Sequence, residues 1–211
     1  MFKTYKITIS GQVQGVGFRP YVFTLAKEFT LLGTVSNDEN GVLIFLTGIQ
    51  QNIEQFYQKL TTSPPPVSKI QQHSILEIEL KNFQDFSIVP SNKNGQVNLP
   101  LTPDFAICED CKNDIENKDN KRFNYPFTTC VNCGPRFAIT QTFPFERNHT
   151  SINEFPMCDS CLDEYTNPAN RRFHSQTNTC KTCGIQLFLV DNLGNKIEIN
   201  SSFRQIAFLH R

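Results

Sequence analysis

The sequence predicts an α+β chain of two domains: a ferredoxin-like β-α-β-β-α-β domain, then a small domain organised by cysteines. Three observations lead to this prediction. The first ninety residues alternate between strand and amphipathic-helix patterns in that order. A polar stretch from about Pro90 to Leu101 has the composition of a linker. All eight cysteines follow it, as four C-x-x-C pairs. We place the boundaries at 1–91, 92–103 (linker), 104–186 and 187–211.

Periodicity defines the elements of the first domain. Tyr5, Ile7 and Ile9 share one face of an alternating strand. Pro20 suits the first turn of a helix, because its missing N–H would be unpaired there. An Asn-Gly step at 40–41 supplies the positive φ of a turn between two short strands. These patterns predict strands over 3–10, 33–35, 42–46, 67–80 and 86–89 and helices over 20–29 and 49–60.

The cysteine region is an internal repeat with a period of 50 residues. In each copy, eighteen residues separate the two C-x-x-C pairs. Inside the spacers, Lys-Arg-Phe-Asn at 121–124 aligns with Arg-Arg-Phe-His at 171–174. Segments 187–190 and 196–199 predict a hairpin after the last cysteine. A helical pattern then begins over 203–210, so we expect the chain to be part of a longer protein.

The cysteine spacing predicts metal binding. Two C-x-x-C turns bring four thiolates together, which is a ligand set of structural zinc sites. The spacers are poor in branched aliphatic residues, and zinc supplies roughly 10–16 kcal/mol of folding energy in zinc-finger peptides. A redox pair in each C-x-x-C is the alternative, which four copies without a βαβ context disfavour. Sequential and nested pairing of the C-x-x-C turns both stay open. We predict two structural Zn²⁺ ions, with the ligands Cys108, Cys111, Cys130, Cys133, Cys158, Cys161, Cys180 and Cys183.

Charge argues against nucleic acid as a partner. Twenty Lys and Arg balance twenty Asp and Glu over the whole chain. Residues 104–185 contain nine basic and eleven acidic side chains, so eight thiolates and two Zn²⁺ would bring this region to about −6. We expect the pairs Lys121-Arg122 and Arg171-Arg172 to balance local thiolate and carboxylate charge.

Two further absences bear on location. No apolar run approaches the ~18 residues of a membrane span, and the N-terminus lacks the apolar stretch of a signal peptide. Disulfides persist poorly in a reducing cytosol, where clustered cysteines more often bind metal. We therefore expect a soluble, cytoplasmic protein without a membrane partner.

The densest chemistry lies at 11–20, Gly-Gln-Val-Gln-Gly-Val-Gly-Phe-Arg-Pro. A strand ends, small residues allow backbone N–H groups to converge, and a helix begins, which is the geometry of an oxyanion site. Arg19 adds a planar group that can bind two phosphate oxygens. Alone, such a turn is more often only a turn. The candidate phosphate-binding residues are Gln14, Gly15, Val16, Gly17, Phe18 and Arg19.

A second segment, 33–43, ends a strand with Asn37, eighteen positions after Arg19. Together the two segments resemble both signatures of acylphosphatases. Residues Val13–Arg19 are identical to the first signature at every position. The resemblance implies that the loop amides and Arg19 hold the phosphate and that Asn37 orients the attacking water. The match to the second signature is less complete, because this chain has Thr34, Asn40 and Leu43 where the family often has other residues. Such chemistry needs no metal and no strong base, because the leaving group is a carboxylate or carbamate.

An acylphosphatase-like domain followed by this cysteine pattern resembles the N-terminal part of the HypF hydrogenase-maturation carbamoyltransferases. The segments 125–137 and 171–174 also resemble that family, although Ile185 stands where proline is usual. The resemblance implies hydrolysis of carbamoyl phosphate. It also implies that a YrdC-like domain, which would begin near the end of this chain, forms a carbamoyl-adenylate from the product and ATP. A last domain then transfers the carbamoyl group to the partner HypE for the cyanide ligands of [NiFe]-hydrogenase.

Two hypotheses follow. The first is a working acylphosphatase with a zinc scaffold, and the second is a carbamoyl-phosphate-binding or docking module without turnover. No Ser/His/Asp constellation is evident. Structural roles are expected for His73, His149 and His174, with His174 as a substitute zinc ligand the alternative.

Overall fold

The computed structural model describes residues 2–91, 104–133 and 137–197. The predicted linker at 92–103, the end of the predicted hairpin at 198–199 and the helical pattern at 203–210 lie outside these residues. The predicted domain boundaries therefore stay predictions. No helix in the described ranges is both long and apolar enough to cross a membrane.

The first domain is a five-stranded sheet with two helices, which confirms the predicted ferredoxin-like α+β class. The sheet order is β4-β1-β3-β2-β5, antiparallel except for the β2–β5 pair, which is parallel. Apolar side chains of both helices and of the inner sheet face form one buried cluster, which includes Ile7, Ile44 and Phe56. The strands are β1 (Phe2–Gln12), β2 (Leu32–Asp38), β3 (Gly41–Ile49), β4 (Lys69–Ile78) and β5 (Phe86–Ile88), and the helices are α1 (Phe18–Glu28) and α2 (Gln50–Thr62).

The element bounds differ from the prediction by up to three residues at an end, and two of these differences shape the candidate phosphate site. Helix α1 begins at Phe18, before Pro20, because Gly17 adopts φ 76° as its cap and lets the chain turn directly into the helix. Strand β2 continues through Asn37 to Asp38, whereas the sequence predicts a strand over 33–35 only. There Asn37 is paired with Val42 of β3, so the strand ladder outweighs the turn preference of asparagine.

The described residues after the predicted linker, 104–133 and 137–197, are built from short elements, and we call this region the finger domain. Its two α-helices, α3 (Glu109–Glu116) and α4 (Asp159–Thr166), each begin directly after the first cysteine of a repeat. Neither helix was predicted from the sequence pattern. The predicted hairpin is present in shorter form, with β6 (Leu189–Val190) paired to β7 (Lys196–Ile197).

Candidate active site and metal centres

The eight cysteines form two separate clusters, one in each repeat. The first contains Cys108, Cys111, Cys130 and Cys133, and the second contains Cys158, Cys161, Cys180 and Cys183. The pairing is therefore sequential rather than nested. Sγ–Sγ separations within the clusters include values from 3.5 to 3.9 Å. A tetrahedral zinc with Zn–S of 2.3 Å needs about 3.8 Å between sulfurs. Both clusters thus fit a structural Zn²⁺, as predicted.

Each repeat supplies an arginine that contacts the cysteine cluster of the other repeat. Arg122 of the first repeat approaches Cys161 Sγ of the second (3.6 Å) and pairs with Glu164. Arg172 of the second repeat approaches Cys111 Sγ of the first (3.7 Å) and pairs with Asp114 at 2.5 Å. The prediction that these arginines balance thiolate and carboxylate charge is confirmed. The sequence did not show that each arginine serves the other repeat.

The phosphate loop keeps its backbone donors available. Gly15 and Gly17 adopt φ 71° and 76°, conformations that favour glycine. Within the described ranges, no acceptor receives the N–H groups of residues 15–18. The Gln14 side chain fixes the loop: its Nε2 donates to the carbonyl groups of Asp38 (2.8 Å) and Gly41 (2.7 Å). The loop is therefore held against the β2–β3 turn with its amides open to an anion.

Arg19 is buried, with 8% of its surface exposed, and it pairs with a residue of the finger domain. Its Nη1 donates to Glu146 Oε1 at 2.8 Å. The same oxygen accepts the Ser91 Oγ–H at 2.5 Å. Burial would raise the pKa of Glu146, but the Ser91 hydrogen bond and the Arg19 charge outweigh it and lower that pKa. Glu146 thus stays ionised and holds the guanidinium from one side.

Asn37 is also buried, with 1% of its surface exposed. Its Nδ2 donates to the Phe145 carbonyl at 3.4 Å, which is a long contact. Its Oδ1 has no hydrogen-bond partner, and it is the one such buried side-chain atom in the part of the chain that the structure describes. An orphaned buried oxygen indicates a missing donor. A water molecule would supply it.

Arg19 and Asn37 line a common cleft with a free volume of about 30 Å³, which is room for one or two waters. The finger domain supplies much of its wall, which the sequence analysis missed. The Phe145 N–H also donates to Gln14 Oε1 at 3.2 Å, and this contact ties the two domains together. The finger residues in the cleft are Cys130, Val131, Phe145, His174, Ser175, Gln176 and Thr177.

His174 lies in the cleft and belongs to neither cysteine cluster. Burial, aided by the Arg19 charge, lowers its pKa to about 4 from 6.5, so the imidazole is neutral near pH 7. The alternative of a substitute zinc ligand is not supported by this placement. Comparison of the two repeats is the sequence signal that could have singled it out, because the first repeat has Asn124 there.

The predicted site residues therefore fall into two groups. The structure brings Gly15, Gly17, Phe18, Arg19 and Asn37 together at one cleft and the cysteines into two clusters. Two predicted loop residues, Gln14 and Val16, are not among the residues that line this cleft. The Gln14 side chain is committed to fixing the loop, which leaves its backbone for any role in phosphate binding. The placement of Glu146, Phe145 and His174 at this site was not predicted, because nothing local in the sequence links them to the phosphate loop.

Comparison with known proteins finds two families along the chain. Residues 5–88 match the acylphosphatase family, and residues 107–140 and 157–190 each match the HypF finger. An acylphosphatase of Staphylococcus haemolyticus is 33% identical over 88 residues, which are 41% of this chain and 99% of that protein.

Longer relatives match both regions. The carbamoyltransferase HypF of Synechocystis sp. is 38% identical over 152 residues, which are 72% of this chain and 20% of that protein. A crystal structure of full-length HypF in a phosphate- and nucleotide-bound form superposes with a TM-score of 0.85 at 40% identity. That match covers 91% of this chain and 26% of the HypF chain. The chain thus spans about a fifth to a quarter of the length of these HypF relatives.

Proposed function

The chain belongs to the acylphosphatase family and matches the N-terminal part of HypF carbamoyltransferases, and we propose that its first domain hydrolyses carbamoyl phosphate to carbamate and phosphate. The observation that carries this proposal is the cleft at which Arg19, the unpartnered loop amides and the orphaned Asn37 Oδ1 meet. These groups supply what phosphoryl transfer to water needs: charge stabilisation and a positioned nucleophile.

In the proposed reaction, the loop amides and the Arg19 guanidinium bind the phosphoryl oxygens. A water molecule donates a hydrogen bond to Asn37 Oδ1 and attacks phosphorus from that side. The new P–O bond forms as the bond to the acyl oxygen breaks, and the bonding electrons leave with carbamate. The water proton passes to solvent or phosphate. Carbamate departs without protonation, so no general acid is required.

By resemblance to HypF, we further propose that the product feeds carbamoyl transfer to HypE for cyanide ligand synthesis. That transfer requires the domains that HypF relatives have beyond the region matched here. Eight unbridged cysteines also support a reducing compartment, and we propose the cytoplasm as the place of action.

The alternative is a carbamoyl-phosphate-binding or docking module without turnover. One observation favours it: Glu146 already pairs with Arg19, the guanidinium that would bind the phosphate. Phosphate binding without phosphate release would support this alternative over hydrolysis.

Phosphate release from carbamoyl phosphate tests the proposal. We expect Arg19→Ala to lower kcat/KM by about 100- to 1000-fold, the effect of losing one oxyanion donor. Asn37→Ala should lower kcat while KM changes little, since the amide acts on water. The exposed Lys69→Ala and Asn113→Ala are matched controls and should behave as wild type. No release above background by the wild-type chain would refute hydrolysis.

A further inference from the structure

The finger domain contributes an imidazole to the cleft. His174 lines it together with Arg19, Asn37 and Phe145. The proposed hydrolysis uses only groups of the first domain and leaves this side chain without a role. Standalone acylphosphatases such as the Staphylococcus haemolyticus relative match only the first 41% of this chain. The finger-domain wall is thus an addition to the basic site.

The structure fixes the His174 ring firmly. The residue adopts φ 52°, and its backbone N–H donates to the Tyr165 carbonyl at 2.9 Å. Its own carbonyl accepts a hydrogen bond from Gln176 Nε2 at 2.7 Å. The ring packs against Phe173 and Tyr165, with centroid separations of 4.6 and 5.0 Å. Such a ring is oriented before any ligand arrives.

The other repeat shows what this position needs structurally. Asn124 occupies the equivalent place with φ 56°, so the left-handed conformation belongs to the repeat itself. Asparagine adopts it readily and meets the structural need. Asn124 is not among the residues that line the cleft. The imidazole at the second position therefore needs a different explanation.

The ring nitrogens of His174 distinguish it from two other histidines. His73 Nδ1 bonds the Tyr57 hydroxyl and His149 Nδ1 bonds the Pro144 carbonyl, both at 2.6 Å. Within the described residues, neither ring nitrogen of His174 has a hydrogen-bond partner. An oriented, neutral and unpartnered imidazole in a cleft is available to a ligand.

We propose that His174, together with the Phe145 carbonyl, recognises the carbamoyl end of the substrate and selects it over acyl groups that lack N–H donors. This proposal rests on the proposed hydrolysis and names its specificity. A neutral imidazole offers one acceptor nitrogen, and the Phe145 carbonyl has a second lone pair beyond its long contact with Asn37. The carbamoyl NH₂ group carries two donors for these two acceptors.

The same geometry disfavours acetyl phosphate, a close analogue of the proposed substrate. Acetyl phosphate places a methyl group where carbamoyl phosphate has NH₂, and a methyl group satisfies neither acceptor. Sites built to bind an N–H discriminate strongly against analogues without it, because their own buried polar groups lose their partner. Size contributes nothing to this distinction, since the two substrates are nearly isosteric.

The experiment measures kcat/KM for carbamoyl phosphate and acetyl phosphate in the whole chain. His174→Gly and His174→Asn both suit the left-handed backbone. We expect each to lower the carbamoyl-to-acetyl ratio by about 10- to 100-fold, the effect of leaving a buried carbamoyl N–H donor without its acceptor. The change should lie mainly in KM for carbamoyl phosphate. Added imidazole should restore the ratio in His174→Gly, and His73→Asn, which removes an exposed imidazole, should leave it unchanged.

The outcomes separate the two proposals. An equal loss of activity on both substrates, or an unchanged ratio in the His174 variants, overturns the role of His174 while hydrolysis stands. Failure of imidazole to restore the ratio in a folded His174→Gly chain also overturns it. Hydrolysis of neither substrate by the wild-type chain refutes the proposed function and this inference with it.

Discussion

Removal of Arg122 should weaken the metal cluster of the opposite repeat. The guanidinium is 1% exposed and donates to the Thr179 carbonyl (2.9 Å), Asn178 Oδ1 (2.8 Å) and both oxygens of Glu164. It also approaches Cys161 Sγ in the second cluster. Arg122→Ala removes all of these donors at once and leaves a buried carboxylate and thiolate cluster behind.

The loss of stability in Arg122→Ala can be estimated in two ways. Loss of one partner of a buried ion pair costs about 3–5 kcal/mol. Burial would raise the pKa of Glu164, but the hydrogen bond and the charge of Arg122, together with Lys121, outweigh it and lower this pKa from 4.5 to about 2. A pKa difference of this size is worth about 3 kcal/mol. Lys121 also pairs with Glu164, at 3.0 Å, and remains in the variant. We therefore expect Arg122→Ala to lower the free energy of unfolding by about 3 kcal/mol, which is the low end of the range for a buried ion pair.

Cysteine alkylation mapped by peptide mass spectrometry during chelator challenge reports each cluster separately. In Arg122→Ala, Cys158, Cys161, Cys180 and Cys183 should be alkylated before the first cluster, and Arg172→Ala should reverse the order. Lys118→Ala, an exposed cation of the first repeat, is the control. Earlier alkylation of the first cluster in Arg122→Ala, or equal rates in both clusters, would refute the exchange of arginines as a stabilising device.

Three further predictions concern the cleft and the metal. Glu146→Gln should raise KM for carbamoyl phosphate about tenfold, because Arg19 loses its anchor. A fall in KM would show instead that Glu146 competes with phosphate, and the exposed Glu154→Gln is the control. Because the folded-state pKa of His174 lies below 6.5, the unfolded chain binds more protons, so Tm should fall as pH drops from about 6.5 to about 4. His174→Asn should flatten that slope, and an unchanged slope would contradict it. Zinc removal should unfold the finger domain while the core of the first domain survives, because its members among the described residues all lie at or before Ile88. Limited proteolysis checks this, and a metal-free finger domain that resists protease would contradict it.

Sequence reasoning succeeds where the determinants are local. The loop around Gly17 and the C-x-x-C turns are short motifs whose geometry follows from a few neighbouring residues. Helix α1 begins early only because Gly17 acts as its cap, a detail that depends on one φ angle. Helices α3 and α4 are eight residues long and strongly polar, so periodicity gives no signal for them. Their position directly after a clustered cysteine indicates that the metal site organises them.

The missed part of the cleft depends on contacts between residues far apart in the chain. Glu146 meets Arg19 across 127 positions, and no spacing rule connects an acidic residue between two cysteine repeats with a loop in another domain. The charge-balancing role of Arg122 and Arg172 was predicted, because charge near thiolates must be balanced. Their exchange between repeats could not be predicted, because composition does not show which copy each arginine faces.

The separation between Arg19 and its partner Glu146 has a consequence for the order of events during synthesis. A ribosome releases the phosphate loop first, and the residues that complete the cleft wall emerge more than a hundred positions later. Until segment 108–183 has been made and its cysteines have acquired metal, the nascent chain carries Arg19 without its partner Glu146 and a loop without the finger-domain wall of the cleft. Under the proposed specificity, zinc supply thereby sets when a newly made chain begins to discriminate among acyl phosphates.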